Sequence, residues 1–171
     1  MDEEFMDASL IVLLAEDNRD DAFLMQRAFK HHGLMRPPHI VDDGAKAIAY
    51  LAGEGVYSDR TTHPFPGLII LDLKMPRVDG FEVLQWLQDH PDYRVIPTIV
   101  WSSSADQRDV KHAYCLGANA YLCKPSDFPE FKAMLGRLLA FWEDCLKPGP
   151  VPQAPTCESL GETHPFSRVR K

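Results

Sequence analysis

The chain has 171 residues, of which 45% are hydrophobic, and this is enough to build one globular domain with an ordinary core. Its formal net charge is −7 at pH 7, which argues against bulk binding of nucleic acid because phosphate neutralisation needs a basic surface. The four cysteines form no C-x-x-C pair, so they indicate neither a zinc site nor a redox motif. The acidic N-terminus is unlike a signal peptide, and no apolar run approaches the length of a membrane span. We therefore expect a cytoplasmic protein without a membrane segment.

Hydrophobic patterning predicts five strands that alternate with five helices. The strand candidates are short apolar runs at residues 10–15, 39–41, 67–71, 95–101 and 119–123. The helix candidates have apolar residues at helical spacing and lie at residues 19–32, 44–51, 79–89, 105–116 and 127–146. This alternation predicts a doubly wound α/β fold, in which helices cover both faces of a five-stranded parallel sheet.

Three segments stand apart from the alternation of strands and helices. Residues 1–8 form a predicted N-terminal extension to a domain over residues 9–147. Residues 52–66 contain Gly and Pro with little periodicity, which predicts an ordered surface loop inserted in that domain. Four prolines within residues 148–155 open the segment 148–171, and we predict that this tail is flexible.

Polar side chains follow four of the predicted strands at the point where each strand ends. Glu16 and Asp17 follow the first strand, Asp72 the third and Ser102 the fourth, while Lys124 ends the fifth. Because the carboxyl ends of parallel strands meet at one edge of the sheet, we expect these side chains to share a pocket there. Any one of them alone is typical of a turn or a helix cap. Their combination at the correct strand ends favours a functional site.

The residue types in this pocket suit phosphoryl transfer. Closely spaced carboxylates repel one another and need a compensating cation, and their oxygen atoms suit Mg²⁺. Phosphoryl transfer needs an oxygen nucleophile, a metal ion and further donors for the phosphoryl oxygens. Asp72 can supply the nucleophile. Lys124 can pair with Asp72 or with a phosphoryl oxygen, and Ser102 can donate a hydrogen bond to another.

On these residues, the chain resembles the receiver domains of two-component response regulators over about residues 9–146. The matching positions are Glu16-Asp17, Asp72, Met75-Pro76, Asp79-Gly80, Ser102 and Lys124, with 30 residues from Asp72 to Ser102 and 22 from Ser102 to Lys124. The resemblance implies a flavodoxin-like (βα)5 fold and a stand-alone regulator that takes a phosphoryl group on Asp72 from a sensor histidine kinase. It also implies a signalling phosphoacceptor rather than an enzyme, one that assists its own phosphotransfer and dephosphorylation.

The resemblance assigns a role to each residue of the metal site. Asp17, Asp72 and the backbone carbonyl of Lys74 would bind Mg²⁺, and Glu16 would act through water.

The resemblance further implies a conformational switch. Ser102 would be the switch hydroxyl and Tyr121 the switch aromatic, both turning inward on phosphorylation and changing the surface over residues 105–146. Tyr121 can alternatively be a half-buried strand aromatic. The Lys124–Pro125 peptide bond would be cis, as the family pattern suggests.

Two further features resemble a particular group of receivers and suggest partners. The 52–66 insert and the Phe141-Trp142 pair resemble single-domain regulators that pair with bacterial phytochrome histidine kinases. The last helix carries a predicted core stripe of Phe128, Phe131, Leu135, Leu138, Leu139 and Trp142. Met134, Phe141 and Cys145 form a second, partial stripe, so we expect a homodimer through this helix unless the tail covers it.

Other functions fit the sequence less well. A degenerate receiver could act as a phosphate-independent interaction module, but the acidic residues, Ser102 and Lys124 are all in place. An aspartyl-phosphate phosphatase typically needs an acidic residue where Lys74 stands. No Gly-rich loop follows the first strand, which disfavours nucleotide binding, and no DNA-binding output domain is predicted. The sequence alone offers no reason for a tryptophan at position 101.

Overall fold

The structure is a computed structural model that describes residues 10–32 and 36–145. Its strands are β1 (Val12–Ala15), β2 (His39–Val41), β3 (Leu68–Leu71), β4 (Thr98–Ser102) and β5 (Ala120–Cys123). Its helices are α1 (Arg19–His31), α2 (Gly44–Ala52), α3 (Gly80–Asp89), α4 (Gln107–Cys115) and α5 (Phe128–Asp144). The predicted extension at residues 1–8 and the predicted tail at 148–171 lie outside the described residues. Within them, no helix is both long and apolar enough to cross a membrane.

The five strands form one parallel sheet in the order β2-β1-β3-β4-β5, which confirms the predicted doubly wound fold. The chain connections run in opposite directions on the two sides of the β1–β3 pair. Folds of this kind place their sites in the crevice at the carboxyl ends of these two strands. Ala15 pairs with Leu71, and Asp72 N–H donates to the carbonyl of Ala15 over 2.9 Å. The register therefore brings the residues that follow β1 beside the residue that follows β3.

Successive residues of the central strands pack into two separate apolar layers. Leu13 and Ile69 belong to the layer that α2, α3 and α4 cover. Leu14 and Ile70 belong to the opposite layer, which α1 and α5 cover. All four side chains are almost fully buried, which explains why these strands appear in the sequence as continuous apolar runs.

Side-chain caps begin the helices nearest the strand ends. Asn18 accepts hydrogen bonds from the N–H groups of Asp20 and Asp21, at 2.9 and 3.2 Å, and so starts α1 just after the first acidic pair. Asp79 and Glu82 form a capping box at the start of α3. These caps fix where α1 and α3 leave the sheet edge.

The predicted core stripe of α5 packs as expected. Phe131, Leu135 and Leu139 are buried, and Phe128, Leu138 and Trp142 are partly buried against the same layer. Met134 also packs against this layer, so it does not belong to a separate exposed stripe. Phe141 is 61% exposed.

The 52–66 segment contains a short 3-10 turn (Gly55–Tyr57) and supports the end of α2. The guanidinium of Arg60 donates to the carbonyls of Tyr50 and Leu51, at 2.8 and 2.6 Å, which belong to the last turn of the helix. Arg60 also lies 4.0 Å from the ring centre of Phe65. The insert therefore completes the C-terminus of α2.

The predicted start of the fourth strand, at residue 95, was wrong. Residues 91–95 form turns, and β4 begins only at Thr98. Ile96 is buried although it lies outside the strand, so its apolar side chain lengthened the strand-like apolar run in the sequence. Pro97 has no N–H for a sheet ladder, but its carbonyl accepts a hydrogen bond from Ile69 at 2.9 Å.

Candidate functional site

Three carboxylates meet at the carboxyl ends of β1 and β3. Glu16, Asp17 and Asp72 each offer one oxygen, and these atoms all lie within 4.8 Å of one another. Glu16 and Asp72 are 2% and 5% exposed, whereas Asp17 is exposed. A set of oxygen donors with one side open to solvent suits a hard divalent cation that keeps part of its water shell.

The ammonium of Lys124 enters the same cluster from the end of β5. Its nitrogen lies 2.7 Å from Glu16, 2.8 Å from Asp21 and 3.3 Å from Asp72, measured to carboxylate oxygens. Burial alone would lower the pKa of Lys124, but hydrogen bonds and charges from these carboxylates outweigh it and raise the pKa. Lys124 is therefore a permanent cation at neutral pH.

Burial also raises the pKa values of the two enclosed acids. It raises the pKa of Glu16 to about 7, with a further contribution from the charge of Asp72, even though Lys124 acts in the opposite direction. Burial raises the pKa of Asp72 as well, against Lys124 and the backbone N–H groups of Lys74 and Leu73. Near neutral pH the cluster thus holds part of a proton, which a cation at the carboxylates would displace.

A hydrogen-bonded path leads from Ser102 towards the surface. The Ser102 side chain is fully buried, and its oxygen accepts a hydrogen bond from Ser104 N–H at 3.2 Å. The carbonyl of Ser104 accepts the Tyr121 hydroxyl at 2.9 Å. The Ser104 hydroxyl donates to Asp109 of α4 at 2.5 Å. Ser104 consequently joins the end of β4 to both β5 and α4.

Trp101 lies beside the cluster on the α1 and α5 side of the sheet. It lines a cavity of about 70 Å³ together with Asp21 and Lys124. Its ring centre lies 4.9 Å from that of Phe131. The tryptophan therefore forms the apolar wall next to the buried ammonium.

The structure brings four of the predicted site residues into one cluster, namely Glu16, Asp17, Asp72 and Lys124. Ser102 lies at the neighbouring strand end, where the Lys124 N–H donates to its carbonyl at 2.9 Å. The metal-binding role of the Lys74 carbonyl stays a prediction.

One expectation about this region was wrong. The described residues contain no cis peptide bond, so the Lys124–Pro125 bond is trans, the more stable form of most X–Pro bonds.

Sequence reasoning missed two residues of this region. Asp21 lies in the first turn of α1, and its contact with Lys124 was not foreseen. Ser104 had no signal beyond its place in a run of serines, because its carbonyl makes the contact with Tyr121.

Residues 12–136 match the response regulator receiver domain family. The chain belongs to this family. It is 35% identical over 132 residues to the response regulator Rcp1 of Synechocystis sp., which covers 77% of this chain and 88% of Rcp1. Receiver domains are signalling domains, and membership of the family implies a histidine kinase as partner.

Solved receiver structures are similar to this one over most of its length. The phosphorylated cyanobacterial phytochrome response regulator RcpA aligns with a TM-score of 0.77 and 33% identity, covering 82% of this chain and 99% of RcpA. The Mn²⁺-bound form of Rcp1 aligns with a TM-score of 0.74 and 34% identity, covering 81% of this chain and 99% of Rcp1. The chain is therefore a receiver that resembles phytochrome-paired regulators, in a family that binds divalent metal.

Proposed function

We propose that this receiver accepts a phosphoryl group on Asp72 from a histidine kinase, with Mg²⁺ bound at the neighbouring carboxylates. The observation that carries the proposal is the position of Asp72. Its carboxylate lies at the switch point of the sheet, within 4.8 Å of ligand atoms from Glu16 and Asp17 and 3.3 Å from the ammonium of Lys124.

In the proposed reaction, a carboxylate oxygen of Asp72 attacks the phosphorus of a phosphohistidine. A P–O bond forms as the P–N bond breaks, and the electron pair stays with the imidazole, which takes a proton from solvent. Asp17, Asp72 and the Lys74 carbonyl would hold Mg²⁺, with Glu16 acting through water, and the ion would offset charge on the phosphoryl oxygens when bound. Lys124 and the hydroxyl of Ser102 would pair with two of these oxygens. Hydrolysis of the acyl phosphate by water would reset the switch.

Intact mass spectrometry after incubation with acetyl phosphate tests this proposal. We expect a phosphoryl-sized mass gain that requires Mg²⁺, disappears in Asp72→Asn and persists in Asp92→Asn. Asp92 is a matched control because it is an exposed aspartate in the turn before β4. No gain in folded protein that binds Mg²⁺ would contradict the proposal and favour a phosphate-independent interaction module.

We further propose a bacterial phytochrome histidine kinase as the phosphoryl donor, acting in the cytoplasm where ATP is available. The similarity to Rcp1 and RcpA supports this partner. Phosphotransfer rates from a purified phytochrome kinase and from an unrelated histidine kinase test it. A faster transfer from the unrelated kinase would contradict the pairing.

Phosphorylation would be reported by the α4-β5-α5 surface. Ser102 and Tyr121 are the proposed switch residues, and both contact Ser104. The phosphoryl group would draw the Ser102 hydroxyl towards it. This movement would disturb the bond from Ser104 N–H, and Ser104 also holds α4 through Asp109.

Finally, we propose a homodimer through the same surface. Phe141 on α5 is 61% exposed and Tyr114 on α4 is 49% exposed, and large exposed apolar side chains are typical of contact surfaces. Light scattering should give twice the chain mass for the wild type and half that value for Phe141→Glu. Phe23→Glu is the matched control, because Phe23 is 57% exposed on α1. A monomeric wild type, or a dimeric Phe141→Glu, would contradict this interface.

A further inference from the structure

The loop between β3 and α3 holds a strained residue. Arg77 has a φ of 68° and is the one residue other than glycine with positive φ among the described residues. A bulky side chain disfavours this conformation, so the surrounding structure must hold it in place. Contacts made by Arg77 and its neighbours must therefore stabilise this backbone conformation.

Arg77 forms an ion pair with a buried carboxylate at the start of α2. Its Nη2 forms an ion pair with Oδ2 of Asp43, whose side chain is fully buried, whereas that of Arg77 is 64% exposed. The other oxygen of Asp43 accepts the N–H of Lys46 at 2.7 Å and caps α2. A buried carboxylate that loses its charged partner is costly. The pair therefore ties the loop to the start of α2.

Backbone hydrogen bonds on both sides of Arg77 also hold this loop in place. The N–H of Gly44 donates to the carbonyl of Val78 at 3.2 Å, and the N–H of Gly80 donates to the carbonyl of Leu73 at 3.0 Å. A Cβ atom at Gly44 would overlap the Val78 carbonyl. The loop and the α2 N-terminus thus approach each other closely where Arg77 meets Asp43.

The same loop packs against the backbone of Asp72. It begins at Leu73, directly after Asp72, and a Cβ atom at Gly80 would overlap the backbone carbonyl of Asp72. The position of the loop therefore fixes the backbone from which the Asp72 carboxylate projects.

We propose that Arg77 and Asp43 form a latch, meaning an ion pair that holds the β3–α3 loop so that Asp72 is oriented to bind a divalent cation. Both are positioning residues. The cation readout rests on the proposed function, whereas the order of the loop can be measured in metal-free protein. A competing explanation is that Arg77 is a solvated surface residue and that positive φ alone shapes the loop.

Three substitutions at one position separate these explanations. Arg77→Ala removes the ion pair and keeps a side chain at positive φ. Arg77→Gly removes the ion pair but also relieves the backbone, because glycine adopts positive φ freely. Arg77→Lys retains a positive charge that can reach Asp43.

Two measurements on the full chain test whether the ion pair holds the loop. The first is backbone hydrogen exchange of residues 73–79 without metal, and the second is Mg²⁺ affinity by calorimetry. We expect roughly fivefold faster exchange in both Arg77→Ala and Arg77→Gly, because the loop opens more often. We expect Mg²⁺ affinity to fall by about tenfold in both, as for other residues that support metal ligands indirectly. Arg77→Lys should stay within about twofold of wild type in both measurements.

Two further variants complete the test. Asp43→Asn keeps an oxygen to cap α2 and should reproduce the Arg77→Ala result, and the double variant should be no worse than either single one. Lys46→Ala is the matched control, because it breaks the exposed pair with Asp42, which lies just before α2, and should leave both measurements unchanged.

Wild-type exchange and affinity in Arg77→Gly would overturn the latch, since positive φ alone would then suffice. Unchanged values in Arg77→Ala would overturn it as well. A wild type that binds no Mg²⁺ would instead defeat the proposed function, and exchange in the metal-free protein would still decide whether the latch exists.

Discussion

The ammonium nitrogen of Lys124 lies 2.7 Å from a carboxylate oxygen of Glu16, closer than its 3.3 Å distance to Asp72. The lysine thus makes its shorter contact with an acid that follows β1 rather than with the proposed phosphoacceptor. This arrangement stabilises buried acids whose carboxylates a cation would otherwise have to offset.

Removing this ammonium should destabilise the metal-free protein in a pH-dependent way. In Lys124→Met, the buried carboxyls of Glu16 and Asp72 lose their cation, and their pKa values should rise further. We expect the free energy of unfolding to fall by about 3 kcal/mol at pH 8 and by less at pH 6, where protonation relieves the cluster. Denaturant unfolding at the two pH values measures this. Lys111→Met is the control on the exposed side of α4, and an equal loss at both pH values would contradict the account.

The raised pKa of Glu16 predicts the pH dependence of metal binding. The ordinary pKa is 4.5 and the folded value is about 7, so the folded metal-free protein holds a proton that the unfolded chain releases between these values. Metal-free stability should therefore fall as pH rises through this window. Mg²⁺ affinity should rise over the same window and level off above pH 7, because binding displaces the proton.

Glu16→Gln provides the test of that assignment. Calorimetry between pH 5.5 and 8 should show a flatter pH dependence of Mg²⁺ affinity in this variant than in wild type. The same slope in both proteins would assign the proton to another group.

The two acids nearest the start of α1 should differ in their effect on metal binding. Asp17 belongs to the cluster of three carboxylates, whereas Asp21 contacts Lys124 at 2.8 Å. We expect Asp17→Asn to weaken Mg²⁺ binding at least about tenfold, and Asp21→Asn to change it by less than about threefold. Equal losses in the two variants would make Asp21 a ligand and contradict this division of roles.

Tyr121 should contribute to stability through its hydroxyl. Tyr121→Phe removes the bond to the Ser104 carbonyl, and we expect a loss of about 1 kcal/mol in the free energy of unfolding. The extent of phosphorylation at Asp72 in Tyr121→Phe should stay close to that of wild type, because this hydroxyl lies outside the carboxylate cluster. Tyr114→Phe, at an exposed position on α4, should be neutral. An unchanged stability in Tyr121→Phe would show that the hydrogen bond has no net value.

Much of the fold and the site could be predicted because few alternatives fit the pattern. The apolar runs that became β1 and β3 are buried on both faces, which is typical of central parallel strands. Once the sheet is parallel, its topology alone brings Glu16, Asp17, Asp72 and Lys124 to one edge, although 108 residues separate Glu16 from Lys124.

The remaining features depend on geometry that local patterns do not encode. The contact of Asp21 with Lys124 depends on how α1 leaves the sheet. Ser104 acts through its backbone carbonyl, which every residue type has. Positive φ at Arg77 has no signal in a non-glycine residue, and Ile96 is buried in a turn where apolar patterning suggested a strand.

The most direct test of the central claim is to locate the phosphoryl group chemically. After incubation with acetyl phosphate and Mg²⁺, borohydride reduces an acyl phosphate of aspartate to homoserine, and peptide mass spectrometry then identifies the altered residue. We expect homoserine at position 72, dependent on both acetyl phosphate and Mg²⁺. Homoserine at another aspartate, or none in protein that binds Mg²⁺, would contradict the assignment of Asp72 as the phosphoacceptor.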